Sequence, residues 1–281
     1  MEISRPIRIL CLHGWRTSGS ILEHQTSALR QAFGSRVEFR YVDAPWRASG
    51  PVPELVRSFY GDKGPFYEWW DAVKQQDRET LRYEGFEHSL DYLTAQVQAF
   101  GPIDAVLGFS QGAAMATLLT AHYVSNYGYV PWKCCILICG LYPRNLETQE
   151  LLEAAKTSTD GAIDVPSVHV VGKTDPLASK SEILVQSFTK TKRVRFEHEE
   201  GHKFPSPFNY KQMYRDIAHE IEAMTKGLAI VGEYKADARH VRIERKKWFG
   251  RRLHRVAITK HEAQLFASEE SHQNRVAAQE H

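Results

Sequence analysis

Along residues 7–224 the apolar positions switch repeatedly between a period of two and a period near 3.6, the marks of strands and of core-facing helices. Short apolar or alternating runs predict strands at Ile7–Leu12, Val37–Val42, Ile103–Leu107, Lys133–Cys139, Ser167–Val171 and Val194–His198. Between them, helical spacing predicts helices over Ile21–Phe33, Glu84–Phe100, Gln111–Ser125, Leu146–Lys156, Ser179–Thr189 and Phe208–Met224. Strands separated by helices at this rhythm imply an α/β fold with a mostly parallel central sheet covered on both faces. No internal repeat interrupts the pattern.

Two regions break the rhythm. Residues 44–83 read as a long irregular insertion carrying Trp46, Phe59, Tyr60, Phe66, Tyr67, Trp69 and Trp70. So many aromatics in one segment suggest a lid-like cover over a pocket rather than a solvated excursion. The second region begins at Leu228. Between Arg239 and Arg255 stand eight Lys/Arg against one acid, Glu244, and residues 260–281 are polar. The expected organisation is therefore one α/β domain over 1–227, with 44–83 as its lid-like segment, and a basic, flexible extension over 228–281. That extension is a candidate for an anionic partner or a nuclear address, or is a solvated appendage.

Composition changes this picture little. With 281 residues, 42% hydrophobic, 25% charged and a net charge of +2, the chain reads as an ordinary globular protein with no global bias towards nucleic acid or membrane. The four cysteines (Cys11, Cys134, Cys135, Cys139) sit in apolar runs without metal spacing, as expected of reduced core thiols. The start of the chain lacks the apolar core of a signal peptide, and the longest apolar stretch is far too short for a bilayer. A cytoplasmic protein with no transmembrane segment is expected.

The chemistry centres on Gly108-Phe109-Ser110-Gln111-Gly112. A serine hydroxyl is a weak nucleophile that needs an exposed mounting and a nearby base. A Gly-x-Ser-x-Gly between a buried strand and a helix supplies that mounting, the glycines allowing a turn that side chains would block. The pentapeptide alone occurs by chance; its position after Ile103–Leu107 and before a good helix former run is what gives it weight. An oxyanion hole would then take one amide from Gln111 and one from the loop after the first strand, where Trp15 is the expected donor. His13, in the same loop, reads as a structural residue.

In this arrangement the acid and the histidine follow the serine in chain order, both at carboxyl ends of strands. Asp104 precedes its strand and lies at the wrong end. Asp175 follows Ser167–Val171 and His202 follows Val194–His198, so both arrive at the edge where Ser110 stands. One rival is literal: His198-Glu199-Glu200-Gly201-His202 matches the zinc-protease signature. That chemistry needs both histidines on one helical face, and here the pattern is a strand followed by Gly201 and Pro205. No metal or other cofactor is expected.

Together these features give an α/β-hydrolase fold with Ser110, Asp175 and His202 as catalytic residues. Trp46, Trp69, Trp70, Leu177 and Phe204 are the expected lining of an acyl groove, and Arg16 and Arg47 are candidates to meet a carboxylate or phosphate. The chain resembles the fungal and animal FSH family of serine hydrolases. The residues that carry this are Ile9-Leu10-Cys11-Leu12-His13-Gly14, Asp43-Ala44-Pro45, Trp69-Trp70, Tyr83-Glu84-Gly85, Gly108–Ala113, Gly172-Lys173-Thr174-Asp175 and Gly201–Pro205. The resemblance spans roughly residues 5–225 and stops at the basic extension. It implies the same Ser110–Asp175–His202 set and hydrolysis of a carboxylic ester or thioester, a small-molecule substrate for which the apolar lining suggests a medium or long acyl chain. Two other readings stay open: a ligand-binding protein that keeps the fold without catalysis, and an acyltransferase using the same residues.

Overall fold

The structure, a computed structural model, describes residues 5–62, 64–74, 81–158 and 160–227, and the backbone pairing of Ala236–Asp237 (β11) with His240–Val241 (β12). Apart from that pairing, the extension expected over 228–281 lies outside the described residues. Six strands form one parallel sheet in the order β10-β9-β8-β7-β1-β2. They are β1 (Ile7–Leu12), β2 (Val37–Val42), β7 (Ala105–Phe109), β8 (Cys134–Ile138), β9 (Ser167–Gly172) and β10 (Arg193–His198).

The period of two seen in the sequence is the two-sidedness of this sheet. From β1, Leu10 and Leu12 face one core while Ile9 and Cys11 face the other. From β8, Cys135 and Leu137 join the first core, and Cys134, Ile136 and Ile138 the second. The first is closed by α4 (Phe86–Phe100), α5 (Gln111–Tyr127), α6 (Leu146–Ala154) and α7 (Ala178–Gln186). The second is closed by α1 (Gly19–Gln25), α2 (Ser27–Phe33) and α8 (Lys211–Thr225). All four cysteines are free and buried. No described helix is long and apolar enough to cross a membrane.

The chain runs from β1 outward to β2, then returns to β7 on the other side of β1. The sheet therefore has its switch point between β1 and β7, and the loops leaving their carboxyl ends diverge there. Ser110 follows β7 directly, and Trp15 lies three residues beyond β1.

Two sequence expectations need correction. The single helix expected over Ile21–Phe33 is two, broken at Thr26. The Thr26 hydroxyl bonds back to the Leu22 carbonyl at 2.9 Å and meets the Tyr41 hydroxyl at 2.5 Å, a competition with the helix ladder that periodicity does not register. The insertion 44–83 is not irregular either. It contains β3 (Trp46–Arg47) paired with β4 (Tyr67–Glu68), helix α3 (Glu54–Tyr60), and β5 (Asp71–Lys74) paired with β6 (Leu81–Glu84). These strands are too short, and too dependent on distant partners, to show a period.

Three histidines are built into the fold in the neutral form. Burial pushes His13 down to about 4 and His169 to about 3, the latter helped by Arg193 and Arg195, and burial also lowers His198. The unfolded chain takes up protons near the ordinary histidine value while the folded chain does not. Stability is therefore full above about pH 6.5 and falls as the pH drops towards these lowered values. Each such histidine contributes a slope of about 1.4 kcal/mol per pH unit inside that window. We expect the urea midpoint to be distinctly lower at pH 5 than at pH 7, with a shallower dependence in His169→Asn. Equal midpoints at the two pH values would contradict this account.

Candidate active site

Ser110 occupies the sharp corner between β7 and α5, with φ 52° and ψ −118°. A non-glycine residue adopts this left-handed conformation only where its surroundings fix it. Here its amide donates to the Ile138 carbonyl of β8 at 2.9 Å, and its carbonyl accepts from Ala113 and Ala114. The flanking glycines make the corner geometrically feasible. A Cβ on Gly112 would lie 2.1 Å from the Leu12 carbonyl oxygen, and one on Gly108 2.3 Å from that of Gly112. Any side chain at either place would push α5 off the sheet.

The acid and the histidine reach this corner from β9 and β10. The Ser110 hydroxyl meets Nε2 of His202 at 2.8 Å, and Nδ1 of His202 donates to Oδ2 of Asp175 at 2.7 Å. The other oxygen of Asp175 accepts the Leu177 amide at 2.7 Å, so both lobes of this fully enclosed carboxylate are held. With the Nδ1–H donating to the carboxylate, Nε2 is left as an acceptor towards the serine. The imidazole is also packed against Phe109, which in turn packs on Phe204. This linear chain of three polar groups is able to pull a proton from Ser110.

Gln111 is the first residue of α5, so its amide has no intrahelical carbonyl to serve. Trp15 lies in the turn after β1, and no acceptor among the described residues takes its amide. His13 shapes that turn. Its Nδ1 donates to the Gly14 carbonyl at 2.8 Å, and its Nε2 accepts the Ala44 amide at 3.0 Å. This is the structural role its place in the sequence suggests.

Several aromatic residues lie elsewhere than expected. Trp69 is fully buried: its indole donates to the His13 carbonyl at 2.8 Å, and its amide donates to the side chain of Gln111 at 3.0 Å. The Gln111 amide group then donates to the Trp70 carbonyl at 2.8 Å, a side chain standing in for a strand partner. Trp70 is buried too, stacked on Tyr83. Both tryptophans are framework here, enclosed on all sides, and do not line an open groove. Trp46 is exposed and Leu177 half-buried, while Phe204 is buried and packs on Phe109.

Arg16 is also committed. It forms a buried ion pair with Glu68 at 3.1 Å and donates to the Pro51 carbonyl and the Ser49 hydroxyl, and it lies 4.1 Å over the Trp15 ring. Glu68 accepts the Ser49 amide with its other oxygen. The loop bearing Trp15 is thereby tied to the insertion by a charge pair and by two backbone bonds between Thr17 and Tyr67. This keeps Arg16 from meeting a substrate.

Cys139 is a neighbour that sequence reading missed, because it reads as one more core thiol. It follows β8 directly, at φ 47°, and its sulfur lies within 4.8 Å of donor atoms of Asp175 and His202. Burial, with Asp175 second, pushes its thiol up to about 12. The protonated sulfur donates to the Lys203 carbonyl at 3.5 Å, bracing the loop that carries His202. A metal requires a thiolate and a free imidazole nitrogen, neither of which this arrangement offers. The zinc-signature histidine His198 closes strand β10, so the helix that signature requires is absent.

Comparison with known proteins bears on family and fold. The family model described as "Serine hydrolase (FSH1)" matches residues 1–214. The chain is 30% identical over 224 residues to Esterase OVCA2 of Homo sapiens, covering 76% of this chain and 96% of the relative. It is 31% identical over 208 residues to Esterase FPY3 of Fusarium mangiferae, covering 71% and 88%. Among solved structures, Zea mays acyl-protein thioesterase 2 superposes with a TM-score of 0.55 at 18% identity, over 78% of this chain and 96% of that one. Esterase PE8 does so with a TM-score of 0.52 at 20% identity, over 78% and 94%. These likenesses show an α/β-hydrolase fold.

The Arg16–Glu68 pair yields a stability prediction. Glu68→Gln leaves a buried guanidinium without its counter-charge and is expected to cost about 3–5 kcal/mol of unfolding free energy. Urea titration measures this, and a loss below about 1 kcal/mol, the size of an exposed pair, would show that the pair is not structural.

Proposed function

The chain belongs to the FSH1 serine hydrolase family, and from that premise we propose that Ser110 is its nucleophile, His202 its general base and Asp175 the group that orients His202. One observation carries this reading: the continuous hydrogen-bonded chain from Ser110 through His202 to Asp175. His202 takes the hydroxyl proton as Ser110 attacks an acyl carbonyl, and Asp175 stabilises the imidazolium that forms. The amides of Gln111 and Trp15 receive the oxyanion of the tetrahedral intermediate, each an otherwise unserved donor at the switch point. His202 then protonates the leaving alkoxide or thiolate. A water activated by the same imidazole releases the acid from the acyl-enzyme.

The substrate is a carboxylic ester or thioester with a medium or long acyl chain. Support comes from the apolar surface that the insertion leaves open. Trp46 is 41% exposed, Leu55 52% and Phe59 77%, and no residue of α3 is buried. Exposed apolar groups concentrated on one small element imply an apolar ligand passing over it. Leu177, whose amide is held by Asp175, and Phe204, packed on the Phe109 that meets the imidazole, are the proposed contacts nearest the scissile bond.

Ser110→Ala is expected to lower kcat/KM for p-nitrophenyl octanoate roughly 10³-fold or more, and Asp175→Asn by roughly 10³–10⁴-fold. A fluorophosphonate should label the folded chain at Ser110 and leave Ser110→Ala unlabelled. The chain-length profile should climb from acetyl to octanoyl esters. Full activity in Ser110→Ala would overturn the nucleophile, and a profile that peaks at acetyl would overturn the acyl preference.

A further inference from the structure

The insertion encloses a second concavity with its own chemistry, between β3, α3 and the loop after α3. Its cavity of about 620 Å³ is lined by Arg47, Arg57, Asp62, Val52, Pro65 and Phe66, among others. Among its described lining residues, two guanidiniums and one carboxylate leave one positive charge in excess. Both arginines are exposed, and no ion pair among the described residues engages either. This contrasts with Arg16 alongside, which is neutralised by Glu68. Two arginines that no described carboxylate pairs, lining one hollow, form a site for an anionic oxygen group, which guanidinium recognises by paired N–H donors.

The position of the hollow links it to Ser110. Arg47 pairs across the β3–β4 ladder with Tyr67, and Tyr67 exchanges backbone bonds with Thr17 of the Trp15 loop. Two residues beyond Tyr67, the Trp69 amide is held by the side chain of Gln111, next to Ser110. Arg47, which lines the hollow, is thus joined to the reacting corner through one bonded framework. The exposed Leu55 and Phe59 belong to the same α3 that carries Arg57.

We propose that this hollow is an anion subsite of the enzyme, binding a phosphate or carboxylate that the substrate carries away from its scissile carbonyl. The inference deepens the reading of Ser110 as nucleophile and rests on it for the identity of the bound molecule as substrate. Phosphate on the leaving group and carboxylate at the far end of the acyl chain share this chemistry, and paired ligands distinguish them.

The test measures binding by calorimetry to full-length Ser110→Ala, which cannot turn substrate over, with and without Arg47→Ala and Arg57→Ala. Octanoyl-coenzyme A is compared with octanoyl-N-acetylcysteamine, and the mono-p-nitrophenyl ester of suberic acid with p-nitrophenyl octanoate. Removing both arginines is expected to raise Kd roughly tenfold for one charged ligand while leaving its neutral counterpart within about twofold. The difference should shrink with added salt, as for any exposed charge contact. A shift confined to the coenzyme A thioester places the anion on the leaving group, and one confined to the suberate ester places it on the acyl chain. Equal effects on charged and neutral ligands, or none on either, would overturn the subsite. Arg57→Glu, which reverses the charge on an exposed residue, should weaken the same ligand further. Hydrolysis by the Ser110 chain is read separately. An inactive chain that still shows the charge-dependent pattern refutes the nucleophile and leaves the subsite standing.

Discussion

The close approach of α5 to the ends of β1 and β7 is the constraint on which the rest of this structure depends. Backbone meets backbone there, with Gly112 against the carbonyls of Leu12 and His13 and Gly108 against Gly112. Only with both side chains absent does the chain turn sharply enough to hold Ser110 at a positive φ. That turn points the serine out of the sheet and brings the first amide of α5 beside it. The same approach puts the β1–α1 loop, with Trp15, on the other side of the switch point. A bulkier residue at Gly112 would move Ser110, the helix terminus and the loop together, so these features stand or fall as one.

A second layer of bonding converts this corner into a rigid unit. Gln111 works twice: its backbone heads the helix and its side chain holds both Trp69 and Trp70 as a neighbouring strand would. Trp69 in turn ties the insertion to the His13 carbonyl, and Ser89 of α4 donates to the Trp69 carbonyl. The Arg16–Glu68 pair closes the circuit from the other side. A buried ion pair gains little net stability over an apolar pair, because desolvation offsets attraction. Its effect is specificity, since the guanidinium's fork geometry admits one placement of the 49–51 backbone and of Glu68.

The legibility of these features in the sequence follows their range along the chain. The sheet, the elbow at Ser110, and the arrival of Asp175 and His202 at the same edge all derive from local patterns plus the rule that sites lie at carboxyl ends of parallel strands. The bracing was illegible, because each of its bonds joins residues far apart. Gln111 and Trp69 are 42 positions apart, and Arg16 and Glu68 are 52. Trp69 and Trp70 look in sequence like groove lining because an aromatic cluster signals apolar surface without saying which side it faces. With the Trp69 indole bonded to His13, the Trp70 carbonyl held by Gln111 and the Trp70 ring stacked on Tyr83, they became framework. Cys139 was hidden for the opposite reason: a buried cysteine in an apolar run is so ordinary that its position just past the strand's end, next to Asp175, leaves no trace in composition.

This division has a mechanical consequence. Charge development at Ser110 needs donors that do not reorganise during reaction, and preorganisation is supplied by the densely bonded residues around β1, β7 and Gln111. Selection among substrates needs surface that a ligand can reach, and the proposed surface is on α3 and β3, where Leu55, Phe59, Arg47 and Arg57 are exposed. The join between the two is the short β4 segment, Tyr67–Glu68, which is paired on one side with the exposed β3 and on the other with Thr17. Changes on α3 are therefore free to alter what is bound without disturbing the reacting groups. A change at Glu68 or Trp69, by contrast, reaches both, because these residues carry the bonds that hold the insertion to the corner. Relatives with different preferences are thus expected to differ along α3 far more than along 67–70, since among the described residues α3 carries no bond to Arg16, Glu68 or the Ser110 corner.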